Sequence, residues 1–134
     1  MTGARVRGAT EYAGGHFWEL AGHPLAHATV SDLDAHRWPD PDDPGRFEGL
    51  AERVRQLHNE TPYALVGCSG FQDFWQPAFA LRGLEQALMD LVADVAFMRA
   101  VLDRIFEVNV GVTRHFLEIA GPYLTVVRTS VPVP

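Results

Sequence analysis

The stretch that most limits what this chain can fold into is "DVAFMRAVLDRIFEVNVGVTRHFLEIAG", residues 94–121. Phe97, Val101, Ile105, Val108, Val112, Phe116 and Ile119 recur at helical spacing and form one apolar stripe. Asp94 is a fitting N-cap, Gly121 a fitting stop, and Pro122 bars continuation. A helix over residues 95–120, at 1.5 Å per residue, spans ~39 Å. That is long for a chain of 134 residues, which is one domain by the usual prior. Short apolar runs flank it: "YALVGCSG", residues 63–70, and "YLTVVRTS", residues 123–130. Such runs read as strands buried on both faces, and a helical crossover between them predicts a parallel βαβ unit.

Upstream, "RVRGATEYAGGHFWEL" reads as a β-hairpin turning at Ala13-Gly14-Gly15, where glycine supplies positive φ. "GHPLAHA" breaks that pattern at Pro24 and looks extended. Ser31, with Asp34 three residues on, resembles a capping box that opens a short helix. Pro39, Pro41 and Pro44 make "WPDPDDPGRF" a rigid connector. Asp43 as N-cap and Pro44 at the first helical position start a helix running to about Asn59. Phe47, Leu50, Ala51, Val54 and Leu57 are its apolar stripe. "FQDFWQPAFALRG" predicts an aromatic-rich loop and a helix broken at Gly83, and "LEQALMDLVA" a further helical segment.

Charge and composition narrow the function. The net charge of −6 leaves no basic footprint for nucleic acid, so no nucleic-acid partner is expected. A single cysteine, Cys68, excludes an intrachain disulfide and a multi-cysteine metal site, and fits a reducing compartment. The first residues lack the apolar core of a signal peptide, and no run of ~18 apolar residues suggests a membrane span. A cytoplasmic protein with no membrane partner is the expectation.

Few residues invite a chemical role, and each has a plainer reading. Ser69 and Phe71 follow a predicted strand and could line a pocket, or belong to an ordinary β-to-α turn at Gly70. Cys68 has no neighbour at a spacing that would activate a thiol, so it reads as buried and inert. Phe74 and Trp75 could stack on a flat ligand, although aromatics more often pack a core. Arg128 ends the second strand, where its fork could meet a carboxylate or a neighbouring acid. The six histidines do not cluster; His23 and His27 are four apart but Pro24 lies between them, so no metal is expected. The carboxylates of "DPDD", residues 40–43, are explained by capping and turn chemistry.

The ordered series HPL, spacer, "WPDPDDPGRF", amphipathic helix and "YALVG", continuing as "FALRGLEQALMDLVAD" and "RHFLEIAGPYLTVVRTS", resembles the uroporphyrinogen decarboxylase family. It is most similar to that family's methyltransferase-like branch. The resemblance covers residues 12–130 of a single domain, 1–134, with 131–134 a divergent tail. It implies an α/β fold: part of a (β/α)8 barrel, with an N-terminal β-hairpin, then helix, strand, helices and strand, the strands parallel. Residues 63–68 and 124–128 would be successive barrel strands, with the site at their C-terminal ends. A whole barrel needs ~250 residues, so a truncated, N-terminal part is expected.

The resemblance also implies an activity. The relatives are tetrapyrrole carboxy-lyases of porphyrin biosynthesis, which need no cofactor, or corrinoid (cobalamin) methyltransferases. A tetrapyrrole or corrinoid-linked small molecule is the implied ligand, with Ser69, Phe71, Phe74, Trp75 and Arg128 as substrate-binding candidates. No catalytic residue is assigned. The family's arginine-rich motif, its aspartate strand and its zinc-binding cysteines have no counterpart here. Thr125 stands where relatives often have Asp, and Val131-Pro132-Val133-Pro134 replaces an acidic pair and "GTQ". Little or no activity is therefore expected of this chain alone. The competing expectation is a non-enzymatic module that covers its apolar surfaces by forming a homo-oligomer.

Overall fold

A computed structural model describes residues 6–12, 15–20, 22–68 and 73–128. Four α-helices dominate it: α1 (Leu50–Glu60), α2 (Trp75–Arg82), α3 (Leu84–Ala93) and α4 (Val95–Ala120). Strands β1 (Val6–Tyr12) and β2 (Gly15–Leu20) pair antiparallel, from Tyr12 opposite Gly15 to Val6 opposite Leu20, with a register shift between Val6 and Gly8. Strands β3 (Val66–Gly67) and β4 (Val126–Val127) pair parallel. The chain divides into two compact units, Met1–Pro39 with Phe74–Ile105 and Asp40–Asp73 with Phe106–Pro134.

The expected partial (β/α)8 barrel is not what forms. The chain is mostly helical, and among the described residues its parallel sheet is one pairing of two residues against two. The runs read as strands buried on both faces are largely solvated: Val66 is 60% exposed and Val126 53%. Parallel strands read as buried only where helices cover both faces of their sheet. Val66, Val126 and Val127 are all left exposed, so that condition is not met here. Residues 129–134, including the divergent tail, lie outside the described residues, as does the expected hairpin turn at Ala13 and Gly14.

In the first unit a core forms from Leu25, Leu33, Ala78, Ala87, Phe97, Met98, Val101 and Ile105. Of the α4 residues among them, Phe97, Val101 and Ile105 belong to the apolar stripe read from sequence, and Met98 joins the core from beside it. Asp94 caps α4 by accepting the Phe97 N–H at 3.1 Å, as its position predicts. Gly83 separates α2 from α3 at φ +88°, a conformation that a side chain would strain. Trp38 half-buries against the core and donates its indole N–H to the Leu33 carbonyl at 2.9 Å.

The short helix before the connector starts earlier than expected. It is a 3-10 turn, Val30–Leu33, and its capping box is Thr29 with Asp32, not Ser31 with Asp34. The Thr29 N–H and hydroxyl both donate to Asp32 Oδ2 at 2.7 Å. Both pairs fit the i, i+3 spacing, and the one that is realised precedes Leu33, whose burial fixes the turn's phase. "HPLAHA" is not extended either. Ala26 N–H bonds the His23 carbonyl and Ala28 N–H the Leu25 carbonyl, at 3.0 and 3.2 Å, giving tight turns.

In the second unit Asp43 caps as expected, accepting the Gly45 N–H at 2.9 Å with Pro44 following. The helix it opens is only a 3-10 turn, Pro44–Arg46. Gly49 then adopts φ +73° and α1 begins anew at Leu50, ending where the Thr61 hydroxyl donates to the Leu57 carbonyl at 2.6 Å. Val54 of α1 and Val112 and Ala120 of α4 are buried. Gly67 is a point of close approach: a Cβ there would overlap Leu124 Cδ1 and lie 3.1 Å from the Phe116 ring.

Candidate functional site

The parallel pair brings one sequence candidate, Arg128, to the end of its ladder beside Cys68, which reads as inert from sequence. Val66 lies opposite Val126 and Gly67 opposite Val127, so Cys68 and Arg128 leave the pair side by side. The Arg128 N–H donates to the Gly67 carbonyl at 2.9 Å and holds that register. Thr125 begins it: its N–H bonds the Leu65 carbonyl at 2.8 Å while its hydroxyl accepts the Leu65 N–H at 3.2 Å. A threonine hydroxyl can accept from the facing amide and donate elsewhere, where an ionised aspartate could only accept. Thr125 therefore joins the two strands through its side chain as well as its backbone.

Arg128 is exposed at this end, and among the described residues no carboxylate pairs with it. An unpaired guanidinium presents a planar fork of donors that matches a carboxylate in two parallel hydrogen bonds. Carboxyl ends of parallel strands are where α/β proteins commonly take ligands. Cys68 is exposed, not buried as its apolar run suggests. Ser69 and Phe71 lie outside the described residues.

The aromatic candidates belong to the first unit. Phe74 is half-buried against the core, the plainer of its two readings. Trp75 is 45% exposed and stacks on Phe79 with ring centroids 6.0 Å apart. Among the described residues no three His, Cys, Asp or Glu side chains are placed to hold a metal ion.

Two groupings escape sequence reading. Arg82 and Asp90 form a buried ion pair, Nε to Oδ2 at 2.6 Å. Arg82 also donates to the carbonyls of Leu25 and Ala28 at 2.6 and 2.9 Å, and its guanidinium lies 4.1 Å from the Phe97 ring centroid. Spacing along "RGLEQALMD" hints at the pair, but the Gly83 break removes any regular helical phase between the partners. The carbonyl partners are more than fifty residues distant in sequence and carry no side-chain signal at all.

The second grouping centres on His115, whose Nε2 meets Asp42 Oδ1 at 2.7 Å and whose Nδ1 lies 3.4 Å from Glu118. The hydrogen bond to Asp42, with the charge of both carboxylates, raises the His115 pKa above its ordinary 6.5. This pair ties the proline-rich connector to α4. Next to it, Gly111 admits Pro41, whose Cβ would be 2.5 Å from any Cβ at that position.

Set beside known proteins, the chain matches no family model, no curated protein and no solved structure.

Proposed function

We propose that the chain belongs to a uroporphyrinogen decarboxylase-type protein, a tetrapyrrole carboxy-lyase or corrinoid-linked methyltransferase, and acts in carboxylate recognition with little or no turnover of its own. The observation that carries this reading is Arg128 at the carboxyl end of β4, exposed and set in register by its bond to Gly67. Acetate and propionate side chains of a tetrapyrrole are the carboxylates that such a fork would meet. The ordered blocks from "HPLAH" to "VVRTS" supply the substrate class. The compartment that fits is the cytoplasm; among the described residues no helix is long and apolar enough to cross a membrane.

Fluorescence titration of the whole chain with uroporphyrin tests this. Saturable binding is expected, weakened about tenfold in Arg128→Ala by loss of a charge-assisted contact. Binding that ignores the substitution, or no binding by the unaltered chain, defeats the proposal. Release of CO₂ from uroporphyrinogen by this chain at an enzyme-like rate would refute the part concerning turnover.

A second reading rests on a different observation. Leu84, Leu88 and Val92 line one side of α3 at i, i+4 and i+8 and stay exposed, Val92 to 88%. An apolar stripe of this kind marks an association surface. On that reading the chain is an assembly module whose partner is a second copy of itself.

A further inference from the structure

In the first unit the turns at residues 23–28, with Asp32, Ala35 and His36, line a shallow cavity of about 400 Å³ that is widely open to solvent. That volume suits a small organic molecule. Pro24, Ala28 and Ala35 give it apolar walls, and His23, His27, Asp32 and His36 supply polar groups. No lysine or arginine lines it.

Among the described lining residues Asp32 carries the one fixed charge, and that charge is negative. His23 Nδ1 lies 3.0 Å from the Ala80 carbonyl, which can only accept. Nδ1 therefore carries a proton and donates it, which fixes the orientation of the ring. Asp32 commits Oδ2 to the Thr29 N–H and hydroxyl, while among the described residues Oδ1 takes no hydrogen bond. The Thr29 N–H bond, then the hydroxyl bond, lower the Asp32 pKa, so the carboxylate stays ionised at neutral pH. Burial lowers the His36 pKa, which favours the neutral form of that ring.

The wall is also built in advance. Arg82 takes the Leu25 and Ala28 carbonyls and Leu25 N–H bonds the Leu81 carbonyl at 2.8 Å, so the turn is fixed from beneath. A fixed cavity spends little on ordering when a ligand enters.

We propose that this cavity binds a small organic ammonium, its charged head on the Asp32 carboxylate and its apolar body against Pro24, Ala28 and Ala35. An anion would meet the Asp32 carboxylate there with no lysine or arginine to offset it, and is disfavoured. The site is separate from Arg128 and does not depend on the tetrapyrrole reading.

The test is an NMR titration of the full chain with 2-phenylethylammonium, and in parallel with 3-phenylpropionate as an anion of similar shape. Saturable shifts confined to residues 23–36 are expected for the ammonium alone. Asp32→Asn should weaken it about tenfold, the loss of a hydrogen bond to a charged group. Asp32→Glu should restore part of it. Ala35→Leu fills the cavity without touching the capping box and should abolish binding, with an unchanged circular dichroism spectrum showing that the fold persists. Equal binding of the propionate overturns the proposal. So does an ammonium that does not bind, or one that binds Asp32→Asn or Ala35→Leu as tightly as the unaltered chain.

Discussion

Arg82 is 8% exposed and Asp90 2%, yet both are ionisable side chains. Removing one member of such a pair leaves the other charge buried without compensation, which typically costs about 3–5 kcal/mol. Arg82→Ala should lose about that much, read as a lowered urea midpoint. The double change Arg82→Met with Asp90→Leu removes both charges and keeps apolar volume, so it should be much milder than either single truncation. If the double variant loses as much as the sum of the singles, the desolvation account is wrong.

At the same scale, His115 sets a pH dependence. Its pKa is raised in the folded chain, first by the hydrogen bond to Asp42, so the folded state holds the proton more tightly than the unfolded state does. Its contribution is therefore complete below the ordinary value of 6.5 and is lost as pH rises through the raised value. His36 works with the opposite sign. Burial lowers its pKa, so its contribution is present above 6.5 and fades as pH falls. Unfolding midpoints measured from pH 5 to 9 should decline on the alkaline side, and His115→Gln should flatten that side only. An alkaline decline that persists in the variant would assign it to another group.

Among the elements, α4 is the one read almost completely from sequence: its bounds, its Asp94 cap and its apolar stripe all come from local chemistry. The expected helix over residues 44–59 is less legible. Its stripe begins with Phe47, but Gly49 in a left-handed conformation divides it, and a periodicity count does not register a backbone φ. The strands are least legible. An apolar run shows a tendency to be extended and buried, but whether neighbours cover it is a tertiary matter, and here Val66 and Val126 remain exposed. The candidate site shares this limit. Arg128 could be placed at a strand end from sequence, whereas the Leu65–Thr125 and Gly67–Arg128 bonds that fix its register depend on a pairing sixty residues apart.

The connector gives an element-scale prediction in which magnitude decides the sign. Gly111 sits within α4, where alanine would add about 1 kcal/mol of helix propensity. A Cβ there would lie 2.5 Å from Pro41 Cβ and 2.9 Å from its Cγ, and a proline ring held between turns cannot swing away. Overpacking of that kind costs about 1–3 kcal/mol. Gly111→Ala should therefore destabilise by about 1 kcal/mol in urea titration, and pairing it with Pro41→Gly should recover the loss. A stabilised Gly111→Ala would mean that the connector yields.

At the scale of the whole molecule, the expected barrel rests on family resemblance, and barrel closure requires each strand to pair on both sides. The described chain buries its apolar surface through helices instead, and what it leaves uncovered is informative. On α3, Ala87 and Asp90 face inward and are buried, while Leu84, Leu88 and Val92 face water. The inward residues satisfy the first unit's core, so the outward stripe is surplus to folding. If it serves self-association, a closed two-fold pairing would bring the same stripe of two copies together. Sedimentation of the whole chain at tens of micromolar should then give a dimer. Leu88→Glu with Val92→Glu should give a monomer with an unchanged helical spectrum, because neither side chain contributes to the core. A chain that is monomeric throughout, or a charged variant that still dimerises, would remove α3 as the interface.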